Sequence, residues 1–220
     1  MCRSEAGWPV LAWVFAVSLF FASAAVFPKA LGSPAEEWLD LFDGKSLSGW
    51  VLTNFGGEGS VKVEGGSIVM DFGNDLTGIT WKGEVPIIDY ELQVDARRLE
   101  GSDFFCGLTF PVNDSHCSLI VGGWGGTVVG LSSVDGRDAS ENPTSRLMSF
   151  EQGRWYHLRI RVGRQRIEVW IDGERVVTQD IEGRKIGIRP EVDLSRPMGI
   201  ASWRTRAALR GIRLRRLNRE

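Results

Sequence analysis

The sequence contains few of the residues that interrupt β-strands and few of those that bind metals. Its 220 residues include 8 prolines, 3 cysteines and 2 histidines, whereas 27 are glycine. Three catalytic motifs are absent: the G-x-S-x-G nucleophile elbow, the G-x-G-x-x-G phosphate loop and the H-E-x-x-H zinc pair. These absences argue against an α/β-hydrolase, a dinucleotide-binding enzyme and a zinc protease. The many glycines indicate a globular, turn-rich, all-β protein instead.

A strong excess of charge of one sign is also lacking, since the formal net charge is -2. A protein that binds nucleic acid needs a concentrated basic surface, so nucleic acid is not expected as a partner. One basic cluster stands near the C-terminus, where two of its arginines would share a strand face. We interpret this strand as a solvated edge strand that its charges protect from pairing with other sheets. The cluster comprises Arg210, Arg213, Arg215, Arg216 and Arg219, and the shared face is that of Arg213 and Arg215.

The N-terminal segment has the form of a secretory signal. Residues 10–21 are uncharged and apolar, and a run of small residues that ends at Ala24 supplies a cleavage site. This predicts a signal peptide over residues 1–24 and therefore a secreted or periplasmic protein. The apolar stretch over residues 8–26 approaches the ~20 residues that span a bilayer, so an uncleaved membrane anchor is the alternative. Residues 25–37 are rich in Pro, Gly, Ser and Ala, as in a linker.

The clearest structural signal is a meander over residues 155–177. Apolar and polar residues alternate in YHLRIRV and again in RIEVWI, and a period of two is that of a strand with one buried face. An Asp-Gly pair at Asp172 supplies a two-residue turn into a third strand. No helical pattern follows that would cover the apolar face, so a second sheet is required. We therefore predict an all-β fold, an antiparallel β-sandwich, over residues 38–217.

Cys106 and Cys117 remain if the signal peptide is removed, and they stand on either side of a predicted turn at residues 111–115. In an exported protein, two thiols on neighbouring strands pair more often than they stay free, which predicts a disulfide. Two alternatives remain open. Either both thiols are buried and unreactive, or they bind zinc together with His116, although the usual second pair of zinc ligands is missing.

Trp124 is the first candidate for ligand binding. Two glycines precede it and two follow it, so it has little local packing. An exposed indole is costly unless it meets a flat surface such as a sugar ring. The alternative is a core tryptophan that needs small neighbours. Trp203, between Ser202 and Arg204, is the second candidate.

Four blocks of the sequence together resemble a known family. They are LFDGKSLSGW at residues 41–50, IIDYELQVDARRLEGSDFFCGLTF at 87–110, FEQGRWYHLRIRVGRQRIEVWIDGERV at 150–176 and GIASWRTRAALRGIRLRRL at 199–217. Their order and spacing are similar to those of the 3-keto-disaccharide hydrolase domain. The resemblance implies a jelly roll of the concanavalin A-like type, whose concave sheet binds sugar. It also implies an exported bacterial protein that hydrolyses glycosides oxidised to a ketone at carbon 3.

A ketone at carbon 3 acidifies the proton on carbon 2, so such a glycoside is cleaved by elimination followed by addition of water. The reaction needs a general base, a donor or metal for the enolate, and an acid for the departing oxygen. No cofactor is firmly implied, and a divalent metal for the enolate has no assignable ligands. His116, Asp135 and Glu141 are the catalytic candidates, and for each the alternative is a solvated loop or hairpin residue. The substrate-binding candidates are Trp124, Arg137, Asn142, Trp203 and Arg204.

Three functions therefore compete. The first is an exported hydrolase of 3-keto-glycosides, the second is a non-catalytic, lectin-like carbohydrate-binding module, and the third is a structural or interaction domain. A pocket that gathers His116, Asp135, Glu141 and an arginine would favour the enzyme. A shallow tryptophan-lined face without clustered acids would favour the binding module. In both of these cases the partner is a carbohydrate, and a membrane is a partner only if the N-terminal segment stays uncleaved.

Overall fold

The computed structural model describes residues 37–218. The predicted signal peptide over residues 1–24 and the linker residues 25–36 lie outside the described residues, so cleavage and anchoring remain predictions. Among residues 37–218, no helix is long and apolar enough to cross a membrane.

Fifteen β-strands and one 3₁₀ helix make up this part of the chain. The first seven strands are β1 Leu39–Asp40, β2 Trp50–Leu52, β3 Val61–Glu64, β4 Ser67–Met70, β5 Leu76–Trp81, β6 Tyr90–Glu100 and β7 Cys106–Val112. The next six are β8 Ser115–Gly123, β9 Val128–Ser132, β10 Arg146–Leu147, β11 Tyr156–Val162, β12 Arg166–Ile171 and β13 Glu174–Asp180. The 3₁₀ helix Pro190–Ser195 precedes β14 Gly199–Trp203 and β15 Arg206–Arg216.

The strands form two antiparallel sheets. The eight-stranded sheet has the order β13-β12-β11-β6-β15-β4-β3, and β1 pairs with β15. The seven-stranded sheet has the order β10-β9-β8-β7-β14-β5-β2. Neighbours such as β11 and β6, or β7 and β14, are far apart in the sequence because the chain crosses repeatedly from one sheet to the other. This arrangement confirms the predicted antiparallel β-sandwich, a jelly roll of the concanavalin A-like type.

The predicted meander corresponds to β11, β12 and β13. Asp172 and Gly173 in its second turn have φ values of 51° and 85°, and positive φ at both central residues is the signature of a type I′ hairpin turn. Leu158 and Ile160 of β11 are fully buried, because the alternating pattern turns one face of the strand inward. The prediction of a three-stranded meander with one buried face is confirmed.

The core lies between the inner faces of the two sheets. From the eight-stranded sheet, Leu92 and Val94 of β6 are buried beside β11, and from the seven-stranded sheet Phe110 and Leu119 are fully buried. Complete burial of one such side chain is worth ~1.5–3 kcal/mol relative to exposure. Burial of these side chains is therefore the main term that holds the sheets together.

Strand β15, which carries the C-terminal arginines, lies inside the eight-stranded sheet. It pairs with β6 on one side and with β4 on the other, so the interpretation as an edge strand is wrong. The reason is the apolar residues that alternate with the arginines, such as Leu214, which are buried in the core. Arg213 and Arg215 do share one face, as predicted, since they stand opposite Gln93 and Glu91 of β6.

Glu91 is a nearly buried carboxylate on the outer face of this sheet, with a side chain that is 2% exposed. Arg159 donates to it through Nη1 at 3.2 Å, and Arg215 donates through Nη2 at 2.7 Å and Nε at 2.9 Å. Hydrogen-bonded pairing on both sides offsets the cost of removing the charge from water. The three side chains therefore link β11 and β15 to β6.

Two loop segments cover part of the outer face of the seven-stranded sheet. A Cβ atom on Gly199 of β14 would meet the Cβ atom of Ser195 at 2.8 Å, and one on Gly130 of β9 would meet the carbonyl oxygen of Ala139 at 3.0 Å. Glycine lets the end of the 3₁₀ helix approach β14 and the loop after β9 approach β9 this closely, and the contact is tightest at Gly199. The part of this face that stays uncovered forms a cleft.

Cys106 and Cys117 are free thiols, and both are fully buried. They lie on the adjacent strands β7 and β8, but Cys106 stands opposite Val121 and Cys117 stands opposite Phe110. An offset of four residues separates the thiols by roughly 13 Å along the strands, beyond the reach of a disulfide. The predicted disulfide is therefore wrong, and the alternative of two buried thiols applies.

Glu91→Gln is expected to lower the free energy of unfolding by about 2 kcal/mol or more, because it leaves two guanidinium groups without their carboxylate. Urea denaturation measures this change. Glu64→Gln is the matched control, since Glu64 pairs with Lys62 at 2.8 Å and both side chains are about half exposed. The control is expected to cost less than about 0.5 kcal/mol. Equal losses in the two variants would contradict the structural role of Glu91.

Neither thiol is expected to react with iodoacetamide at pH 8 in the folded protein. Burial raises the pKa of Cys106 and of Cys117 to about 12, so little of either thiol is ionised at that pH. After denaturation without a reducing agent, both are expected to become alkylated, as peptide mass spectrometry will show. Detection of two peptides linked through Cys106 and Cys117 would show that the disulfide forms.

Candidate functional site

A cleft of about 250 Å³ opens on the outer face of the seven-stranded sheet. Its floor comes from strands of that sheet, and its walls come from the residues before β7, the turn between β8 and β9, and the start of the 3₁₀ helix. The apolar lining residues are Leu76, Phe104, Ile120, Trp124, Val192 and Trp203. The polar lining residues are Asp103, Ser118, Ser132, Arg189 and Glu191.

One row across the floor of the cleft consists of short side chains. Ser118 of β8 stands opposite Ser132 of β9 on one side and opposite Thr109 of β7 on the other. The hydroxyl oxygens of Thr109 and Ser118 lie 2.8 Å apart and share a hydrogen bond. Because this row contains no long side chain and no carboxylate, it leaves room for a ligand and offers hydroxyl groups to it.

Trp124 stands at the cleft with 43% of its surface exposed. It lies in a turn in which Gly122, Trp124, Gly125 and Gly126 have φ values of 77°, 49°, 84° and 109°. Positive φ is uncommon for a bulky residue, so contacts around the turn must hold it in this conformation. Positive φ therefore accounts for three of the four glycines that flank Trp124 in the sequence, Gly122, Gly125 and Gly126.

Arg98 of β6 and Asp103 hold this turn from opposite sides. The buried Arg98 donates through Nη2 to the carbonyl oxygens of Gly122 and Gly126, at 3.3 and 3.1 Å. The Asp103 carboxylate accepts a hydrogen bond from the Gly125 N–H at 3.2 Å. Hydrogen bonds to charged groups are among the stronger ones. The exposed indole is therefore presented on a turn that is already organised before any ligand binds.

Trp203 at the end of β14 forms another wall of the cleft. Its backbone N–H donates to the carbonyl oxygen of Phe104 at 3.0 Å, and the two rings lie 6.4 Å apart between centroids. The guanidinium of Arg204 lies 5.6 Å from the Trp203 ring and pairs with Asp75 at 2.7 Å. Trp203 and Phe104 therefore form one aromatic surface with Arg204 fixed beside it.

Arg189 forms the charged end of the cleft. Its Nη2 and Nε donate to the two carboxylate oxygens of Glu191, at 2.8 and 3.3 Å, and its Nη1 donates to Asp138. The hydrogen bond from Arg189 lowers the pKa of Glu191, which keeps that carboxylate ionised at neutral pH. Asp138 also accepts from the Ser132 hydroxyl at 3.1 Å. Two of the five N–H groups of Arg189 remain available to a ligand in this network.

The structure brings only part of the predicted site together. Trp124 and Trp203 both line the cleft, as the sugar-stacking hypothesis requires. Arg204 lies beside Trp203 but is bound to Asp75. His116 lies on the same face of β8 as Ser118 yet outside the cleft. Burial and a nearby Arg196 lower the pKa of His116, so it is neutral at pH 7.

The four predicted residues of the loop after β9 do not join the cleft. Asp135 accepts from Arg184 at 2.8 Å and from the Lys185 N–H at 2.9 Å, and the bond from Lys185 is the main cause of its lowered pKa. Glu141 and Arg137 also lie in this loop, away from the cleft lining. The hypothesis of a catalytic group formed by His116, Asp135 and Glu141 is not supported by these positions.

Asn142 is a structural residue of the same loop. Its side chain is buried, and Nδ2 donates to the carbonyl oxygens of Leu131, Asp138 and Arg137 at 2.7, 2.8 and 3.1 Å. Its Oδ1 accepts from the N–H and the hydroxyl of Thr144. All polar atoms of its side chain are occupied by hydrogen bonds to the loop and to β9, which gives Asn142 a structural role, and its role in substrate binding stays a prediction.

Sequence reasoning missed the charged residues of the cleft. Asp103, Arg189 and Glu191 belong to two segments that are far apart along the chain and meet only after the sheet has formed. Glu191 follows Pro190, and a proline at this position is typical of an ordinary turn. The one available signal in the sequence was Arg189 placed two residues before Glu191, and this signal is weak. Within residues 37–218, no group of three or more His, Cys, Asp or Glu side chains is placed to hold a metal ion.

The family that the sequence matches indicates a carbohydrate-related protein, either glycosyl hydrolase-like or carbohydrate-binding. Residues 37–215 match the profile of the family described as the 3-keto-alpha-glucoside-1,2-lyase-like domain. The chain therefore belongs to this family, as the four sequence blocks predicted. No curated protein has a sequence that matches it.

Solved structures with the same fold include several carbohydrate-related proteins. A proposed glycosyl hydrolase from Parabacteroides distasonis ATCC 8503 is 15% identical, with a TM-score of 0.51 over 82% of this chain and 94% of that one. The transglycosylase Crh5 in complex with NAG is 15% identical, with a TM-score of 0.57 over 83% and 84% of the two chains. The carbohydrate recognition domain of Emp46p is 17% identical, with a TM-score of 0.51 over 80% and 91%. At these identities the similarity concerns the fold.

Arg98→Met is expected to lower the free energy of unfolding by about 1–3 kcal/mol, because the buried carbonyl groups of Gly122 and Gly126 lose their donor. Urea denaturation followed by far-UV circular dichroism measures the change. Arg146→Met is the matched control, since Arg146 also donates to two loop carbonyl groups but is exposed. If the two variants lose the same stability, Arg98 does not organise the turn.

Proposed function

We propose that this protein is an exported carbohydrate-active enzyme that cleaves 3-keto-glycosides by elimination and hydration. The observation that carries the proposal is the position of Arg189 and Glu191 at the charged end of an aromatic cleft. Membership of the 3-keto-alpha-glucoside-1,2-lyase-like family supports the substrate class. The predicted signal peptide over residues 1–24 supports export.

The sugar ring binds against the indole of Trp124, with Trp203 and Phe104 as the opposite aromatic surface. A pyranose ring has an apolar face of C–H groups that packs on an indole, and its hydroxyl groups point outward to polar partners. The hydroxyl groups of Ser118 and Ser132 on the floor supply such partners. Trp124 loses little conformational freedom on binding because its turn is already held in place.

Cleavage begins when the Glu191 carboxylate removes the proton from carbon 2 of the 3-keto-sugar. The electron pair of that C–H bond forms the enolate. The enolate oxygen at carbon 3 accepts hydrogen bonds from the two remaining N–H groups of Arg189. Collapse of the enolate then forms a double bond between carbons 1 and 2 and breaks the bond to the aglycone oxygen. The new carboxylic acid of Glu191 returns its proton to that oxygen. Water then adds its hydroxyl group to carbon 1 and a proton to carbon 2, which removes the double bond and completes the hydrolysis.

The second candidate function is a carbohydrate-binding module without catalysis. The observation that favours it is the floor of the cleft, where the strands present hydroxyl groups and no carboxylate. Glu191 is also held by Arg189 in a two-point ion pair, which makes it a weaker base. In this case the same aromatic surfaces bind the sugar, and Arg189 and Glu191 bind its hydroxyl groups.

Incubation of the purified protein with 3-keto-disaccharides, with and without added divalent metal, tests the proposal by mass spectrometry of released monosaccharide. Glu191→Gln and Arg189→Gln are expected to lower kcat by about 100-fold or more, since they remove the base and the enolate partner. Trp124→Ala is expected to raise KM more than it lowers kcat.

Asp135→Asn and Glu141→Gln are the matched controls, because they neutralise carboxylates that lie outside the cleft. Both are expected to keep the activity of the unmodified protein. Loss of activity in these controls, with activity retained in Glu191→Gln, would move the site to the loop after β9. The binding module would be established by two results together. No monosaccharide is released from any substrate, and the protein is retained on a polysaccharide column whereas the Trp124→Ala variant is not.

A further inference from the structure

The outer face of the eight-stranded sheet carries a second feature that nothing in the cleft explains. Six arginines of three adjacent strands project from it, and we call this surface the arginine face. We propose that the arginine face binds an anionic polysaccharide, separately from the cleft, which lies on the other sheet. Its arginines are Arg97 of β6, Arg159 and Arg161 of β11, and Arg210, Arg213 and Arg215 of β15.

The strand register arranges most of these arginines in two columns. Strands β11 and β15 flank β6, and in each row the β6 residue accepts a hydrogen bond from the arginine of β15. Strand β11 supplies an arginine in two of the three rows and His157 in the third. Adjacent strands lie ~4.8 Å apart, so the two cationic columns run parallel at a distance of roughly 10 Å. The rows are His157, Asp95 and Arg210; Arg159, Gln93 and Arg213; and Arg161, Glu91 and Arg215.

The charge of this face is opposite to that of the whole chain. The three rows contain five arginines and two carboxylates, an excess of three positive charges among these side chains, whereas the chain as a whole has a net charge of -2. The cleft on the other sheet contains the carboxylates of Asp103 and Glu191 and the single cation Arg189. A face with such a concentrated positive charge attracts polyanions.

Tryptophan rings hold the guanidinium groups in place. Arg159 lies 3.7 Å from the centroid of the Trp170 ring, and Arg210 and Arg97 lie 4.2 and 4.4 Å from Trp155. Arg213 and Arg215 lie 5.0 and 4.7 Å from Trp38 in the same way. Guanidinium groups that are stacked in advance lose less freedom when they bind an anion, and each keeps a planar edge of N–H donors.

Arg213 and Arg97 are the arginines best placed to bind an external anion. Arg213 donates to the neutral Gln93 at 2.7 Å, and among the described residues neither arginine has a carboxylate within ion-pair distance. Their positive charge is therefore not offset by a direct partner in residues 37–218. A carboxylate or sulfate of a ligand forms charge-assisted hydrogen bonds with such groups.

The spacing of charges favours a polysaccharide over nucleic acid. Glu91 and Asp95 stand between the cationic columns, so a densely charged polymer would bring anions against carboxylates. Double-stranded DNA carries one charge per ~1.7 Å of its axis, whereas an anionic polysaccharide has its charges separated by sugar rings. A sparsely charged chain can place its anions on the arginines and keep them away from β6.

Binding of polygalacturonate, which carries one carboxylate on each sugar ring, tests this proposal by isothermal titration at several salt concentrations, with neutral dextran as the comparison. The protein is expected to bind polygalacturonate, more weakly as salt rises, and not to bind dextran through this face. Arg97→Gln/Arg213→Gln is expected to raise the Kd by at least about tenfold, while Arg213→Lys keeps most of the affinity. Circular dichroism confirms that each variant is folded.

Arg184→Gln is the matched control, because it removes one positive charge from an exposed arginine that pairs with Asp135 away from the arginine face. It is expected to leave the Kd within about twofold. The proposal is overturned if polygalacturonate does not bind at low salt, or if Arg184→Gln weakens binding as much as the double variant. It is also overturned if Trp124→Ala abolishes binding, which would place the ligand in the cleft, or if duplex DNA binds more tightly.

Discussion

The packing of the two inner sheet faces against each other is the interaction on which the rest of the structure depends. Each sheet has one apolar face, and burial of both faces in a common core leaves two outer faces without a further layer. The two outer faces are covered in different ways. The seven-stranded sheet is partly covered by loops that pack on Gly199 and Gly130. The eight-stranded sheet is covered by its own arginine, tryptophan and carboxylate side chains.

This difference explains why the two outer faces offer different surfaces. Loops that cover a sheet incompletely leave a concave cleft with a floor of short side chains, and Trp124, Trp203 and Arg189 can then converge from separate segments. Side chains that lie flat on a sheet leave a shallow surface whose character follows the strand register. In this protein, the register alternates cations with acceptors. Sugar rings fit the first surface, and extended anionic chains fit the second.

The turn that carries Trp124 connects the core to the cleft. A bulky residue at positive φ is strained, and the strain persists because Arg98 and Asp103 bind the backbone on either side of it. Arg98 belongs to the central strand of the eight-stranded sheet, whereas the turn belongs to the seven-stranded sheet. The orientation of the indole therefore depends on correct packing of the two sheets, which is the same condition that forms the core.

The sequence by itself determined the strands, the meander, the type I′ turn at Asp172 and the β-sandwich, because these follow from a period of two and from turn chemistry within a few residues. It also identified Trp124 and Trp203, whose local surroundings mark them. The tertiary structure alone decided which residues share the cleft, since Arg189 and Glu191 reach Trp124 only through long-range pairing. Register likewise decided that Cys106 and Cys117 are too far apart to pair and that β15 lies inside its sheet. Such outcomes depend on which distant strand becomes a neighbour, and local patterns do not specify that choice.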